Sequence, residues 1–478
     1  MKAADYTARQ FQSLGLQPAG TDGYMQPVEF ETRKVIPERS SVELVRNGKT
    51  ISLKVPDDVA LGVAGKSGQV VEAPLIFAGY ALTVPEDHYD DFAGLKMRGA
   101  VAVRLSGGAP KSVSPLLAAY YGSHDVAETR AQQLGLIGRL GLINPKVIDL
   151  PWPRLINSIM TEQLKPDLPG INEGWKNMSF SASVNPAAAD EVLRGTGHTL
   201  QELIALNQQH KPLPHFAIPG KIRARVVYDA GKLKSPNVVA MIPGSDPALK
   251  NQYVLISAHL DHVGVGEPIN GDSIYNGAMD NAAGVATLIE AARRIKAGPA
   301  PKRSILLLAC TAEEEGELGS EYYAAHPTVP LKSIVADINL DMYLPLFPLK
   351  ILRAYGLNES DLAQYVETAA KEDGVRVQDD PHPEENIFIR SDQYSFIKKG
   401  IPSIFLSFGY DPGTPEETIW ENWLKKRYHG PADDTNQPVD KQAAAKFNAL
   451  MARLALQIAD APERPQWKSD SFFRRFVQ

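Results

Sequence analysis

Four short clusters of histidine and acidic residues, each just past an apolar run, carry the chemistry this sequence offers. They are Ala258-His259-Leu260-Asp261-His262, Gly277-Ala278-Met279-Asp280-Asn281, Thr311-Ala312-Glu313-Glu314-Glu315-Gly316 and Asn339-Leu340-Asp341-Met342. A histidine and several carboxylates converging on one crevice make a divalent-metal site that still needs a last ligand.

Singly, each cluster has an ordinary structural reading. Residues two apart in a strand point to the same side, so Asp261 can sit beside His259 or accept a hydrogen bond from its imidazole. A lone His-x-Asp is usually a structural pair. Asp280 stands just before a helical pattern starting at Ala282, where an acid normally caps the helix, although a carboxylate there could also bridge two cations. Acid runs such as Glu313-Glu314-Glu315 are usually solvated. This run begins where the most hydrophobic strand ends, so one glutamate can bind metal while its neighbour addresses a water on that metal. Asp341 ends another apolar run. Candidates for the missing nitrogen ligand are His262, His326, His382 and His429. His429 stands out because Arg427-Tyr428-His429-Gly430-Pro431-Ala432-Asp433-Asp434 repeats the pairing of a histidine with nearby acids.

The elements that must position these residues follow from periodicity. After Tyr228 the rhythm is strand, helix, strand, with strands predicted at 237–242, 253–258, 303–309, 334–340 and 401–408. Helices are predicted over 282–297, 359–372 and 441–460, the first with Val285, Leu288, Ile289, Ala292 and Ile295 on one face. Such alternation predicts an α/β domain with a mixed, largely parallel central sheet flanked by helices, whose ligand crevice lies at the strand ends. Residues 54–230 are β-rich and punctuated by Pro and Gly, and they read as a separate module. Before them, a helix over 3–14 and a hairpin around Asn47-Gly48 are expected. We therefore expect three segments: 1–53 packing on the catalytic core, 54–230 as an inserted domain, and 231–478 as the catalytic domain.

Bulk properties narrow the function. A chain of 478 residues exceeds one ordinary core. Fifty basic and 56 acidic side chains leave a formal charge of −6, which gives no reason to expect a nucleic-acid partner. Cys310, the single cysteine, lies in an apolar run and reads as a buried thiol, so no intrachain disulfide forms. No apolar stretch is long enough to span a bilayer. The opening Met1-Lys2-Ala3-Ala4-Asp5 lacks a signal-peptide core, and its immediate helical pattern leaves room for an upstream segment since removed.

Taken together, the motifs resemble the M28 family of zinc-dependent peptidases, the di-zinc aminopeptidase group. The matching residues are His259-x-Asp261, Gly277-x-x-Asp280-Asn281-x-x-Gly284, Glu313-Glu314-x-Gly316-x-x-Gly319-Ser320, Asn339-Leu340-Asp341-Met342, Arg390-Ser391-Asp392-x-x-x-Phe396, Gly400-Ile401-Pro402 and Tyr428-His429-x-Pro431-x-Asp433. The preceding module resembles, more loosely, the protease-associated (PA) domain inserted in several M28 subgroups. Phe77-Ala78-Gly79-Tyr80, Tyr89-Asp90-Asp91-Phe92-Ala93-Gly94-Leu95 and Lys96-Met97-Arg98-Gly99-Ala100-Val101 carry that likeness.

The resemblance implies two zinc ions per chain, with His259 and Asp341 on one, Glu314 and His429 on the other, and Asp280 bridging both. It implies Asp261 and Asp433 as acids orienting His259 and His429, a cis peptide after Asp280, and Glu313 as general base. Two ions roughly 3.5–4 Å apart would activate a water for attack on the N-terminal peptide bond of a peptide substrate. A periplasmic or secreted location is implied in the same way, and the oligomeric state is left open.

Two departures stand out. Gln393 occupies a position where the family often has histidine, and the segment between Phe408 and Tyr428 is long. Its Tyr410, Trp420 and Trp423 read as loop packing or as a wall of the specificity pocket. Alternative readings are a single-zinc glutaminyl-peptide cyclase on the same architecture and a non-catalytic peptidase-like binding protein. The M20 peptidases share the ligand types but insert their extra domain after the glutamate pair, whereas here the extra module precedes His259.

Overall fold

The structure is a computed structural model that describes residues 1–148, 150–165 and 178–477. The chain divides into two compact units, one of Met1–Glu29 with Lys234–Gln478 and one of Phe30–Leu233.

In the first unit the strands Tyr228–Ile242, Ser304–Cys310, Tyr253–His259, Ile334–Asn339, Ser403–Phe408, Ile351–Tyr355 and Arg376–Gln378 lie side by side in that order. Four of them, from Ser304–Cys310 to Ser403–Phe408, run parallel. Both outer neighbours of this group are antiparallel. The α/β class and largely parallel centre expected from the sequence are present. The strand Ser304–Cys310 is buried at every residue, because parallel strands covered on both faces have no polar side to show.

Helices cover the sheet. Ala283–Lys296 buries Val285, Leu288, Ala292 and Ile295, and Lys441–Asp460 buries Phe447, Leu450, Leu454 and Ile458 in the same cluster. The first helix, Lys2–Ser13, adds Ala4 and Phe11 to that cluster, and the carbonyl of Gly15 accepts a 2.8 Å hydrogen bond from Lys296 Nζ.

The second unit is built on an eight-stranded sheet. Three of its neighbouring pairs, joining Val70–Ala78, Val101–Ser106, Gly138–Ile143 and Phe180–Val184, are parallel. The structure moves the expected boundary of the first segment. Ser41–Arg46 and Lys49–Leu53, assigned above to the catalytic core, pair into this second sheet through His215–Arg225. The reason is burial, since Val42 and Leu44 pack in the core around Phe77 and Phe180.

The segment before Tyr428 also differs from expectation. It contains a helix, Pro415–Lys426, begun by Pro415 at its first turn, with Trp420 and Trp423 buried in the main core.

Because Phe11 is fully buried in the first unit's core, Phe11→Ala should destabilise the chain by about 3–5 kcal/mol, read by denaturant unfolding. A change under about 1 kcal/mol would show that the first helix is not part of that core.

Candidate metal centre

The strand register brings the clusters together. His259 pairs with Cys310, and Ser257 pairs with Asn339, so the chain leaves three parallel strands at one level. His259 ends the first, Glu313 and Glu314 follow the second, and Asp341 follows the third. Asp280 arrives from the turn Ala278–Ala282 that leads into Ala283–Lys296, with non-helical backbone at Asp280 and Asn281 and a cis bond between them. His429 comes from the loop after Pro415–Lys426.

Asp280 is 2% exposed and stands between two histidines. Its Oδ1 lies 3.4 Å from His259 Nε2, and its Oδ2 lies 3.3 Å from His429 Nε2. His259 Nε2 is also 3.1 Å from Asp341 Oδ1, and His429 Nε2 is 3.1 Å from Glu314 Oε2. Tetrahedral zinc with ligands at about 2.0–2.1 Å separates its donor atoms by about 3.3 Å. The observed separations match that spacing on both sides of Asp280. No hydrogen bond reaches the buried Oδ2 of Asp280, as expected of a donor reserved for a cation. The residues therefore fit a bound metal.

Among the described residues, three donor trios close to within 4.8 Å: His259 with Glu313 and Glu314, His259 with Asp280 and Asp341, and His262 with Asp280 and Glu314. His262 is thus drawn into the centre along with His429. It is one of the four candidate nitrogen ligands in the sequence. His382 is exposed and faces Glu384, away from these trios.

Charge is divided unevenly among the carboxyls. Burial works against ionising Asp280, but the facing imidazoles of His259 and His429 outweigh it and hold the carboxyl well below its usual range. Glu314 is likewise lowered against burial, by His262 and His429. For Glu313 burial wins, and with Asp341 nearby its carboxyl is pushed well above the usual range. Its closest imidazole atom, His259 Nε2, is 3.9 Å away. The histidines respond in turn. Burial opposes charge on His429, yet Asp280 and Glu314 lift it to about 9, and Asp341 and Glu313 raise His259 in the same way.

The two acids that the resemblance assigns to orienting His259 and His429 make their carboxylate hydrogen bonds elsewhere. The carboxylate of Asp261 accepts the backbone N–H groups of Glu313 at 3.1 Å and Glu314 at 3.3 Å, and only its carbonyl oxygen approaches His259 Nδ1, at 3.3 Å. The fully buried carboxylate of Asp433 accepts the N–H groups of Met279 and Asp280 and the amide of Gln437, so it fixes the Asp280 turn and leaves His429 alone. Gln437 in turn accepts from Trp423 Nε1 at 2.6 Å. Gln393 lies off the donor set, where it accepts from Asn339 Nδ2. The same amide reaches Ser391, whose hydroxyl donates to Asp341 Oδ2 at 2.8 Å.

The histidine–carboxylate cluster thus lies at the carboxyl ends of a largely parallel sheet, where α/β folds place their ligand crevice. Residues 237–455 match the profile of peptidase family M28. The chain is 33% identical over 186 residues to a probable leucine aminopeptidase 2 of Aspergillus oryzae, covering 38% of this chain and 35% of that protein. It is 39% identical over 112 residues to carboxypeptidase Q of Bos taurus, covering 23% and 21% respectively. The matched region thus spans about a third of the first relative's length and about a fifth of the second's. Among solved structures, an aminopeptidase from Aneurinibacillus sp. strain AM-1 shares the fold with a TM-score of 0.56 at 20% identity, covering 97% of this chain and 89% of that one.

If Asp433 sets the Asp280 turn, Asp433→Ala should weaken divalent-cation binding by about 10–100-fold in calorimetric titration. Unchanged affinity would mean that the turn holds its own shape.

Proposed function

We propose that this protein is a zinc-dependent exopeptidase that removes N-terminal residues from peptides, with two zinc ions bound per chain. The observation that carries the reading is the symmetric placement of Asp280 between a His259–Asp341 pair and a His429–Glu314 pair, all at 3.1–3.4 Å. The relatives named as aminopeptidases support the reaction class.

In this reading His259, Asp341, Asp280, Glu314 and His429 are the metal ligands. The bound zinc supplies Lewis acidity, which polarises the scissile carbonyl and brings the pKa of water toward neutrality. The chain's own residues do the rest. Glu313 lies 3.9 Å from its nearest imidazole atom, and burial raises its carboxyl pKa, which makes it the stronger proton acceptor of the two glutamates. Its carboxylate accepts a proton from the attacking water and returns it to the departing amine nitrogen. Asp261 grips the N–H groups of residues 313 and 314, so that base and ligand keep their separate directions.

We also read the unit Phe30–Leu233 as a PA-like module. Supporting this, its shared motif residues form one buried network: Asp91 accepts from the N–H groups of Tyr80 and Leu82 and from the Tyr89 hydroxyl, and His215 Nε2 lies 2.9 Å away. An exported location, periplasmic or secreted, belongs to the same reading and rests on the motif resemblance alone. No helix among the described residues is long and apolar enough to cross a membrane.

The test is to load the purified protein with zinc and offer peptides with free, N-acetylated or C-terminally amidated ends. Release of N-terminal residues from free and amidated peptides, but not from acetylated ones, is expected, with full loss on chelation. Glu313→Gln should lower kcat by about 10²–10⁴-fold with zinc content unchanged. If the loaded protein frees no amino acid from any N-terminally free peptide, the proposal fails.

A further inference from the structure

His262 has no task in the two-ion reading, yet the fold has made a place for it inside the centre. Its side chain is 5% exposed, and its ring meets that of His429 edge-on, with centroids 5.6 Å apart. The room comes from Gly277, on the loop leading to Asp280. A Cβ built there would come within 2.3 Å of the Asp280 carbonyl oxygen and within 2.6 Å of Cβ and Cγ of His262, and the backbone at Gly277 has a φ of +67°, which disfavours any side chain.

The distances around the ring separate its role from those of the other two histidines. His259 and His429 stand 3.1–3.4 Å from their carboxylate oxygens, the spacing of two donors around one cation. His262 Nδ1 is 2.7 Å from Glu314 Oε1, shorter than that spacing and in the range of a charge-assisted hydrogen bond. Its next carboxylate oxygen, Asp280 Oδ2, is 3.7 Å away. Nε2 is buried and takes no hydrogen bond, so the Nδ1 contact is the ring's polar anchor. Glu314 is therefore divided: Oε1 faces His262, and Oε2 faces His429 at 3.1 Å.

We propose that His262 is a positioning residue that acts through Glu314. Its Nδ1–H donates to Oε1 and turns Oε2 toward the cation position shared with Asp280 and His429. The proposal rests on the two-ion reading above. It makes the affinity of that second position depend on a hydrogen bond from a side chain that is not itself a ligand, and it leaves the His259–Asp341 position independent of His262.

Side-chain isosteres separate the two ring nitrogens. The amide nitrogen of asparagine falls near the position of Nδ1, and that of glutamine near Nε2. Wild type, His262→Ala, His262→Asn and His262→Gln would be stripped of metal, and their stepwise zinc affinities measured by competition with a chromophoric chelator. The expected result is two ions in wild type, with the weaker one lost about 10–100-fold in the Ala and Gln variants and the tighter one unchanged in both. His262→Asn should return the weaker affinity to within a few-fold of wild type. Unchanged affinities in His262→Ala overturn the proposal, as does an Asn variant no better than Ala. A wild-type protein that binds a single ion overturns the two-ion reading and this proposal with it, and that outcome is visible before any variant is compared.

Discussion

Everything at this centre follows from the problem of keeping several carboxyl groups together in a poorly solvated space. The parallel register of three strands delivers Asp261, Glu313, Glu314 and Asp341 to one level, and Asp280 and Asp392 join them. Buried like charges raise one another's pKa, so such a group cannot ionise fully without cationic partners. The chain supplies three imidazoles, and their placement decides which acids carry charge. Asp280 and Glu314, which face histidines directly, are held ionised. Glu313 and Asp392 lack such close partners, and burial pushes both up, Asp392 to about 6. Two glutamates that are neighbours in sequence are thus shifted in opposite directions by their different distances to a histidine.

Keeping that arrangement requires the backbone to be fixed as firmly as the side chains. Two aspartates do this with the same device, in which a carboxylate accepts consecutive backbone N–H groups. Asp261 holds the turn at Glu313 and Glu314, and Asp433 holds the turn at Met279 and Asp280. Asp341 is steadied from its side chain instead, through Ser391 and the amide of Asn339 that Gln393 also engages.

The parts of this arrangement that depend on local period and strand ends could be read from the sequence. The five central strands, the helix over Ala283–Lys296 and the order of the acidic clusters all follow from apolar runs and their stops. What could not be read depends on contacts across long chain separations. His-x-Asp spacing is equally compatible with Asp261 serving His259 and with Asp261 serving a turn 52 residues later, and only the pairing of the two strands decides it. His262 and His429 are alike as isolated histidines, and their different partners on the two oxygens of Glu314 exist only once the loops have closed. The unit boundary at Glu29 was hidden because Ser41–Arg46 alternates as any edge hairpin would, without naming the sheet it joins.

The two halves of the centre are also built from different material. His259 and Asp341 sit at or just past the ends of adjacent parallel strands, and His259 is fully buried, so their mutual distance is set by sheet hydrogen bonds. His429 is 38% exposed, stands on a loop at a φ of +49°, and belongs to no regular element. Its approach depends on neighbours: Pro415–Lys426 ends just before it, and Trp423 on that helix is tied through Gln437 to Asp433, which holds the Asp280 turn. The aromatic cluster before His429 therefore acts on the centre by fixing the path of the chain. Under the two-ion reading, the sheet-built position has its donors in place before any ion arrives. The loop-built position needs Glu314 aimed and His429 brought in, which is where a single added hydrogen bond from His262 has the most to contribute.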